Sequence, residues 1–364
     1  MKIKEIITLL EEFAPLAYAE EFDNTGLLVG DKEAIVSGIL VTLDTLEAVV
    51  EEAIEKKCNF IISFHPIIFK GLKNLTGANY VQRVVQKAIK NDIHIYAIHT
   101  ALDNSFEGVN AQICNTLGLV DKKILIPQKQ TIKKLITYAP KDAVEDVKKA
   151  LFSIGGGTIG NYQECSFTSQ GIATFKGNEQ SNPTTGIRGV TQTASEIMIA
   201  ITFAKHLEQH IINALHTSHP YEEVAYEITT LENTNQHIGM GMIAKLENPM
   251  NEDAFLLYLK EKMNTKCIRH SKKIDQPIKK VAVLGGSGSF AIKEAISQGA
   301  DVLVTSDLKY HDFYTAENKI LLADIGHYES EQYTKELLHT YLTKKITNFA
   351  IVLSQINTNP ISYF

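Results

Sequence analysis

The stretch GILVTLDTLEAVVEEAIEKKCNFIISF, residues 38–64, decides the fold class of this chain. Two short apolar runs, residues 38–43 and 59–64, stand at its ends. The segment between them, residues 45–57, has apolar residues at the three-and-four spacing of an amphipathic helix. Buried strands joined by one helix are typical of a parallel crossover unit. The stretch therefore predicts an α/β sheet.

The same alternation continues on both sides and returns late in the chain. After a predicted amphipathic helix over residues 2–19, apolar runs and helical patterns alternate up to residue 118, and again from residue 279 to residue 354. The late runs include KKVAVLGG (279–286), ADVLVTSD (300–307) and ILLADIG (320–326), with one long helix predicted over residues 330–345. We therefore expect one discontinuous α/β domain, formed by residues 1–125 and 246–364.

The middle of the chain has a different pattern. It is predicted to run strand, helix, three strands, helix, strand, which resembles a ferredoxin-like α+β domain with an extra hairpin strand. The extra strand is predicted in IGGGTIGNYQECSF, residues 154–167. The polar stretches IPQKQ (126–130) and LENPMNED (246–253) bound this segment, so we expect an inserted domain at residues 126–245.

Composition excludes several protein classes. The 364 residues include 36 Lys+Arg and 42 Asp+Glu, a balance of −6, which gives no general attraction to phosphate backbones and makes nucleic acid an improbable partner. A small disulfide-stapled fold and global disorder are excluded by the length and by the 44% hydrophobic content. No apolar run approaches the roughly 18 residues of a membrane helix. The four scattered cysteines favour a reducing compartment, so we expect a cytoplasmic protein without membrane contact.

Histidines and carboxylates follow three predicted strands. His65 follows one strand, His99 and Asp103 follow the next, and His327 with Glu331 follow a third. The carboxyl ends of strands in an open α/β sheet meet at one edge, where ligands collect. His327 and Glu331 are four residues apart, so both side chains can reach one metal ion.

Imidazole and carboxylate ligands suit zinc, manganese or iron, and a bridging carboxylate can hold two ions. Each residue alone is more simply explained as a strand-end group bonded to backbone or facing water. The convergence of three strand ends favours a metal site. His206 and His210 also have helical spacing, but a solvated helix face explains them better because no carboxylate partner is evident.

The run VAVLGGSGSFA, residues 281–291, predicts a strand, a glycine loop and a helix. Gly286, Ser287 and Gly288 can present backbone N–H groups to an anionic cofactor or substrate, and the nearby Lys309 can add a charge. The spacing of Gly286, Gly288 and Ala291 also matches the G-x-G-x-x-A motif of dinucleotide-binding proteins. A tight turn that simply needs glycine explains the loop equally well.

Eight segments together make the sequence resemble the GTP cyclohydrolase 1 type 2 homologue family, also described as Ngg-interacting-factor-like proteins with a dinuclear metal centre. They span nearly the whole chain in the family's order: residues 22–30, 63–75, 95–104, 154–167, 219–228, 281–290, 300–312 and 324–332. The resemblance implies a homohexamer of two stacked trimers with the metal ions facing an inner cavity. It also implies that the inserted domain is a PII-like or CutA-like module.

The resemblance assigns metal ligands residue by residue. They fall on His65, Asp103, His327 and Glu331, with His99 as a nearby ligand or hydrogen-bonding neighbour. Two divalent ions per subunit are implied, and we expect zinc, with manganese or iron as alternatives. One departure matters: the family commonly has two consecutive histidines, and the first is Phe64 here. Phenylalanine cannot bind metal, which puts the second ion in doubt.

Lesser departures are Phe22, where the family frequently has tryptophan, and Ser306, where it often has glycine.

Three functions remain open from the sequence. A metal-dependent hydrolase would act on a nucleotide such as GTP or on a phosphoester, with His99 or His311 as general acid/base, since imidazole titrates near neutral pH. The alternative is a non-catalytic hexameric metal-binding scaffold or regulator, which the PII-like module and Phe64 favour. A dinucleotide-dependent oxidoreductase is a third hypothesis, and it rests on the glycine loop alone.

Overall fold

The computed structural model describes all residues, 1–364. It divides into two compact units, one formed by residues 1–127 with 236–364 and the other by residues 128–235. The strands are β1 (Gly26–Val29), β2 (Ile39–Thr42), β3 (Phe60–Ser63), β4 (His94–Ala97), β5 (Val120–Pro127), β6 (Ile132–Ala139), β7 (Phe167–Phe175), β8 (Gln192–Ala204), β9 (Tyr226–Thr230), β10 (Gly239–Met250), β11 (Arg269–His270), β12 (Ile278–Ser287), β13 (Val302–Ser306), β14 (Leu321–Asp324) and β15 (Ile351–Leu353).

The α-helices are α1 (Ile3–Phe13), α2 (Glu47–Glu55), α3 (Tyr80–Lys90), α4 (His99–Asp103), α5 (Val109–Thr116), α6 (Val144–Ser153), α7 (Glu208–Ser218), α8 (Glu252–Lys262), α9 (Ile292–Ser297), α10 (His327–Glu331) and α11 (Thr334–Lys345). None of them combines the length and the apolar composition that crossing a membrane requires. The single helix predicted over residues 330–345 is wrong at its start. Residues 330 and 331 belong to α10, and a short break separates that helix from α11, which begins at Thr334.

The first sheet of the larger unit has the order β1-β4-β3-β2-β15. Strands β2, β3, β4 and β15 are parallel, and β1 pairs antiparallel with β4 at the edge. Ile39 pairs with Phe60 in parallel register across β2 and β3, and α2 connects those strands. This confirms the crossover predicted from residues 38–64 and, with it, the α/β class.

The second sheet of this unit has the order β11-β14-β13-β12-β10-β5. Its centre, β12 to β14, is parallel, and β10, β5 and β11 pair antiparallel around it. The late strand β15 belongs to the first sheet, whereas the early strand β5 belongs to the second. Each half of the chain thus gives a strand to the sheet of the other half.

The two sheets share one apolar core. Ile62 and Tyr96 of the first sheet lie in the same buried cluster as Val283 and Val304 of the second, together with Leu338 of α11. Each of these side chains is at most 1% exposed. Full burial of such side chains contributes about 1.5–3 kcal/mol each, so the core fixes the strand ends that carry the polar residues described below.

The smaller unit is a four-stranded antiparallel sheet with the order β7-β8-β6-β9. Helices α6 and α7 pack on one face, where Leu151 and Ile211 meet Ile199 and Phe203. The extra strand predicted in residues 154–167 is wrong. Gly157 has a φ of 74°, a left-handed conformation that glycine adopts freely, and the chain turns there instead of extending.

Candidate metal centre

Three strand ends of the larger unit bring histidine rings together. His65 follows β3, His99 begins α4 after β4, and His327 begins α10 shortly after β14. The ring of His65 lies 5.2 Å from that of His99 and 5.5 Å from that of His327, centroid to centroid. His65 and His99 follow neighbouring strands of the first sheet, as the sheet-edge argument expected, whereas His327 follows a strand of the second sheet. That these residues bind metal stays a prediction.

Glu331 lies at the centre of this cluster. Its carboxylate is buried, with the residue 3% exposed, and its Oε2 lies 3.2 Å from Nε2 of His65 and 3.2 Å from Nε2 of His327. One ligand atom from each of the three residues lies within 4.8 Å of the other two, so the group could hold a metal ion.

The spacing and the chemistry of this group fit a divalent ion. Two ligands bound about 2.0–2.2 Å from one tetrahedral zinc are about 3.3–3.6 Å apart, close to the 3.2 Å separations observed. Oε2 of Glu331 is buried and has no partner with hydrogen-bond geometry, although two imidazole nitrogens approach it. Two imidazoles and a carboxylate form a ligand set suited to zinc, manganese or iron.

Aspartates hold the histidines in place. Nδ1 of His65 donates to Asp44 at 2.8 Å, and Nδ1 of His327 donates to Asp307 at 2.6 Å. A carboxylate can only accept, so the neutral form of each imidazole keeps its proton on Nδ1, and Nε2 is the atom that takes up a second proton or binds a metal ion. This carboxylate–histidine pairing is the arrangement that fixes the tautomer and orientation of metal-binding histidines.

The charges of the cluster shift its pKa values. Burial opposes a charged His65, but Glu331 and then Asp44 outweigh it and raise the pKa of His65 to about 10. The same balance, with Glu331 and Asp307 as partners, raises the pKa of His327 to about 9. Burial alone would raise the pKa of Glu331, yet the two histidines lower it to about 2. The cluster therefore attracts positive charge strongly.

Asp103 adjoins the cluster without belonging to the group of three. It is 8% exposed, and its Oδ1 is buried without a hydrogen-bond partner. Burial, and then the negative charge of Glu331, raises the pKa of Asp103 well above its usual range. A buried carboxyl left without a partner is costly unless a cation or a ligand satisfies it. The assignment of Asp103 as a metal ligand stays a prediction.

His99 is held by a third aspartate. Its Nδ1 donates to Asp23 at 2.8 Å, and Asp23 also accepts the backbone N–H of Thr100 at 3.1 Å. The φ of His99 is 27°, outside the ordinary regions for a non-glycine residue. Strain of this kind collects at functional sites, where surrounding contacts maintain it.

Phe64 is fully buried and lies beside both His65 and His99, with ring centroids at 4.8 and 5.5 Å. The position at which the family resemblance implies a histidine therefore belongs to the apolar core in this chain.

Gly286 and Ser287, which were predicted to lie in a loop, form the end of β12 and border the cluster. A Cβ on Gly286 would lie 2.5 Å from Oε1 of Glu331, and the residue has a φ of 69°, so no other side chain fits. The N–H of Gly286 donates to Oγ of Ser330 at 2.9 Å. The hydroxyl of Ser287 donates to Asp307, the partner of His327. This segment therefore shapes the group formed by His65, His327 and Glu331, and the anionic ligand expected at Gly286, Ser287 and Gly288 stays a prediction.

Lys309 and His311 lie on the exposed segment after β13. The backbone N–H of Lys309 donates to Asp312 at 2.8 Å, and the ring of His311 lies 5.2 Å from that of Tyr310. Neither belongs to the group of three. Their predicted roles in substrate binding and proton transfer remain untested.

Sequence reasoning noted Asp307 in a polar cluster at a strand end, but it missed Asp44, Asp23 and the pairing of each aspartate with a histidine. Asp44 follows β2 and Asp307 follows β13, so the strand-end rule that found the histidines could have found both. Asp44 also accepts the hydroxyl of Thr358 at 2.6 Å, which links the C-terminal segment to His65. A cavity of about 510 Å³ adjoins this point, lined by His65, Asp44, Tyr80 and residues 357–360.

Comparisons with known proteins agree on one family. The model of Duf34/NIF3 (NGG1p interacting factor 3) matches residues 1–360. A Bacillus subtilis protein named GTP cyclohydrolase 1 type 2 homolog is 39% identical over 370 residues, which cover 99% of this chain and 98% of that protein. A Staphylococcus aureus protein of the same name is 38% identical over 100% of both chains.

Solved structures give the same result. The crystal structure of a Bacillus cereus protein related to NIF3 matches with a TM-score of 0.84 and 35% identity, over 100% of this chain and 99% of the other. A Staphylococcus aureus crystal structure matches with a TM-score of 0.78 and 34% identity over the same shares. With a family model matched over nearly its whole length, this chain belongs to the Duf34/NIF3 family.

Proposed function

We propose that this protein is a metal-dependent hydrolase that acts on a nucleotide such as GTP or on a phosphoester. One observation carries the proposal: two imidazole nitrogens, each oriented by an aspartate on the opposite ring nitrogen, meet a single buried carboxylate oxygen at 3.2 Å. Relatives named GTP cyclohydrolase 1 type 2 homolog support the substrate class by their name only.

His65, His327 and Glu331 would hold the first ion, with Asp103 as a fourth ligand, and zinc suits this set, with manganese or iron as alternatives. Such an ion supplies Lewis acidity, which assists attack of water on a phosphoester or a purine ring. A second ion per subunit would have to do without the imidazole that Phe64 replaces. We therefore propose that the second position is weak or empty in this chain.

Proton transfer is assigned to His99. Asp23 accepts the proton of Nδ1, which leaves Nε2 of His99 free to take a proton from water or to return one to a leaving group. His311, on the exposed segment after β13, is the second candidate for this role. Lys309 and the loop from Gly286 to Gly288 would meet a phosphate of the substrate.

An exposed aromatic pair adjoins His99. Phe22 is 66% exposed and Phe69 is 46% exposed, their ring centroids lie 6.4 Å apart, and the ring of Phe69 lies 6.5 Å from that of His99. Exposed aromatic rings offer a surface on which a flat purine base can stack. This supports a nucleotide over a small aliphatic phosphoester.

The assembly and the second unit are part of the proposal. The family resemblance implies a homohexamer of two stacked trimers in the cytoplasm. For the inserted segment we propose a PII-like ferredoxin fold, supported by the order β7-β8-β6-β9 and by two helices on one face. Light scattering on the purified protein measures the assembly, and a mass below six chains would count against the hexamer.

The alternative is a metal-binding scaffold or regulator without turnover, and Phe64 at a family ligand position favours it. To separate the two, metal content is measured by elemental analysis and turnover is screened on GTP and phosphoesters. His327→Ala should lose both metal and turnover. His210→Ala, which changes an exposed histidine of the other unit, should lose neither. Bound metal without turnover would select the scaffold, and protein that binds no metal would overturn both.

A further inference from the structure

The smaller unit contains a cavity of about 640 Å³ on the sheet face opposite its helices. Tyr138 of β6 and Glu196 and Met198 of β8 contribute to its walls, with β7 on one side. Its volume lies within the range of sites that take small organic molecules. All of its lining residues lie between residues 138 and 225, so it shares none with the candidate metal centre.

Glu196 is the buried polar group of this cavity. It is 7% exposed, and its Oε1 accepts the hydroxyl of Tyr221 at 2.8 Å. Burial, and then the neighbouring Glu196, raises the pKa of Tyr221 to about 12, so the phenol keeps the proton that it donates. A carboxylate can accept about four hydrogen bonds, and Tyr221 supplies one. The remaining acceptor positions of Glu196 are available to a ligand in the cavity.

The wall around Glu196 is held by a fixed set of bonds. The N–H of Tyr221 donates to Nδ1 of His219 at 3.1 Å, so Nε2 carries the proton and donates to the backbone oxygen of Tyr138 at 2.9 Å. On the opposite side, the N–H of Asn182 donates to Glu222 at 2.6 Å. The cavity is thus formed in advance, which lowers the entropic cost of binding.

The charges and the surface of the cavity select the ligand. Three carboxylates, Glu196, Glu222 and Glu223, line it against one cation, Lys176. A phosphate or carboxylate ligand would be repelled by this excess, whereas an ammonium group would be attracted. Apolar and aromatic side chains, including Met198, supply contact for a hydrocarbon body, and aromatic faces also attract cations.

We propose that this cavity is a binding site for a small organic amine, with the ammonium group donating to Glu196 and the hydrocarbon part lying against the aromatic and apolar walls. No step of the proposed hydrolase reaction uses it, so the site would serve sensing or regulation in the smaller unit.

The experiment is calorimetric titration of the full-length, metal-loaded protein with hexylamine, phenethylamine and spermidine. Phenylethanol and phenylacetate serve as the neutral and anionic counterparts of phenethylamine. At least one amine should bind saturably, and Glu196→Gln should weaken it about 10- to 100-fold, because hydrogen bonds to a charged group are strong. Glu145→Gln, a change at an exposed carboxylate of α6 that does not line the cavity, should leave the affinity within about twofold of the wild type.

Met198→Trp provides a second variant that fills the cavity and should abolish binding even if Glu196→Gln does not fold. Circular dichroism and metal content establish that each variant retains both units. Absence of saturable amine binding, equal affinity in wild type and Glu196→Gln, or equal affinity for phenethylamine and phenylethanol would each overturn the proposal. None of these results bears on turnover at the metal centre, so the two proposals fail independently.

Discussion

Asp307→Asn is the sharpest test of how the metal centre is organised. Oδ2 of Asp307 accepts Nδ1 of His327 at 2.6 Å and also accepts the hydroxyl of Ser287. Against the opposing effect of burial, these two donors lower the pKa of Asp307, so the carboxylate is favoured. Asparagine keeps the shape of the side chain but removes the charge that orients the imidazole and makes Nε2 a better ligand.

The backbone conformation at position 307 is compatible with asparagine. Asp307 has a φ of 58°, a left-handed conformation that asparagine adopts as readily as aspartate, and its side chain is 46% exposed. The variant should therefore fold normally. Loss of the outer partner of a metal-binding histidine typically costs about 10- to 100-fold in affinity, which equals about 1.4–2.7 kcal/mol.

The assay is competition for Zn²⁺ against a chromophoric chelator at pH 7.4 and fixed ionic strength. Asp312→Asn is the matched control, because Asp312 lies on the same segment but accepts from the backbone of Lys309. We expect Asp307→Asn to bind Zn²⁺ about 10- to 100-fold more weakly and Asp312→Asn to bind it as the wild type does. Wild-type affinity in Asp307→Asn, or an equal loss in the control, would refute the assigned role.

Three further predictions concern the same centre. With pKa values of about 10 for His65 and about 9 for His327, both rings are positively charged at pH 7 in the metal-free protein, so each carries a second proton on Nε2. Binding of Zn²⁺ should therefore release about two protons and strengthen as the pH rises to about 10, and calorimetry in buffers of different ionisation enthalpy counts those protons; release of none would contradict the prediction. Phe64→His should raise the bound metal, measured by elemental analysis, from about one ion per chain toward about two, and an unchanged content would show that a missing imidazole does not limit the second position. Thr358→Val removes the 2.6 Å bond to Asp44 and should weaken Zn²⁺ binding about two- to tenfold in the same chelator assay, with no change counting against a role for the C-terminal segment.

Hydrophobic periodicity was sufficient to predict the α/β class. The strand-end positions of His65, His327 and Glu331 made them candidates for one site. The apolar runs of residues 38–64 are long, bounded and separated by one helix, so few structures other than a parallel crossover can bury them. The proximity of His65 and His99 was predictable because neighbouring parallel strands end at one edge of a sheet, whereas the approach of the second sheet, which carries His327, was not. His327 and Glu331 needed only helical spacing in addition, and they lie 3.2 Å apart as expected.

Local conformation was harder to predict. Residues 154–167 contain the β-favouring Ile159, Tyr162 and Phe167, yet glycines with left-handed backbone turn the chain before the strand begins at Phe167. The sequence does not reveal which glycines take up positive φ, because they adopt either hand at little cost. Residues 330–345 contain no proline or glycine, so nothing in the sequence pattern marks the break between α10 and α11.

The aspartate partners show a different limit. Asp44 lies 21 residues from His65, Asp307 lies 20 residues from His327, and Asp23 lies 76 residues from His99. Each pair joins side chains from different strand ends or loops, and no spacing rule links them. A pairing of this kind depends on strand order, which becomes known only once the sheet is assembled.

The shifts in pKa across the centre have a single physical origin. When each imidazole carries its single proton on Nδ1, the Nε2 atoms of His65 and His327 are acceptors, and both lie 3.2 Å from Oε2 of Glu331 in a buried site. Three acceptors that face one another cannot satisfy one another, so the site is unfavourable until positive charge enters it. In the metal-free chain, protons on Nε2 of the two histidines supply that positive charge. This is why the pKa values of both histidines rise and that of Glu331 falls. A divalent ion satisfies all three acceptors at once, and it must displace those protons to do so.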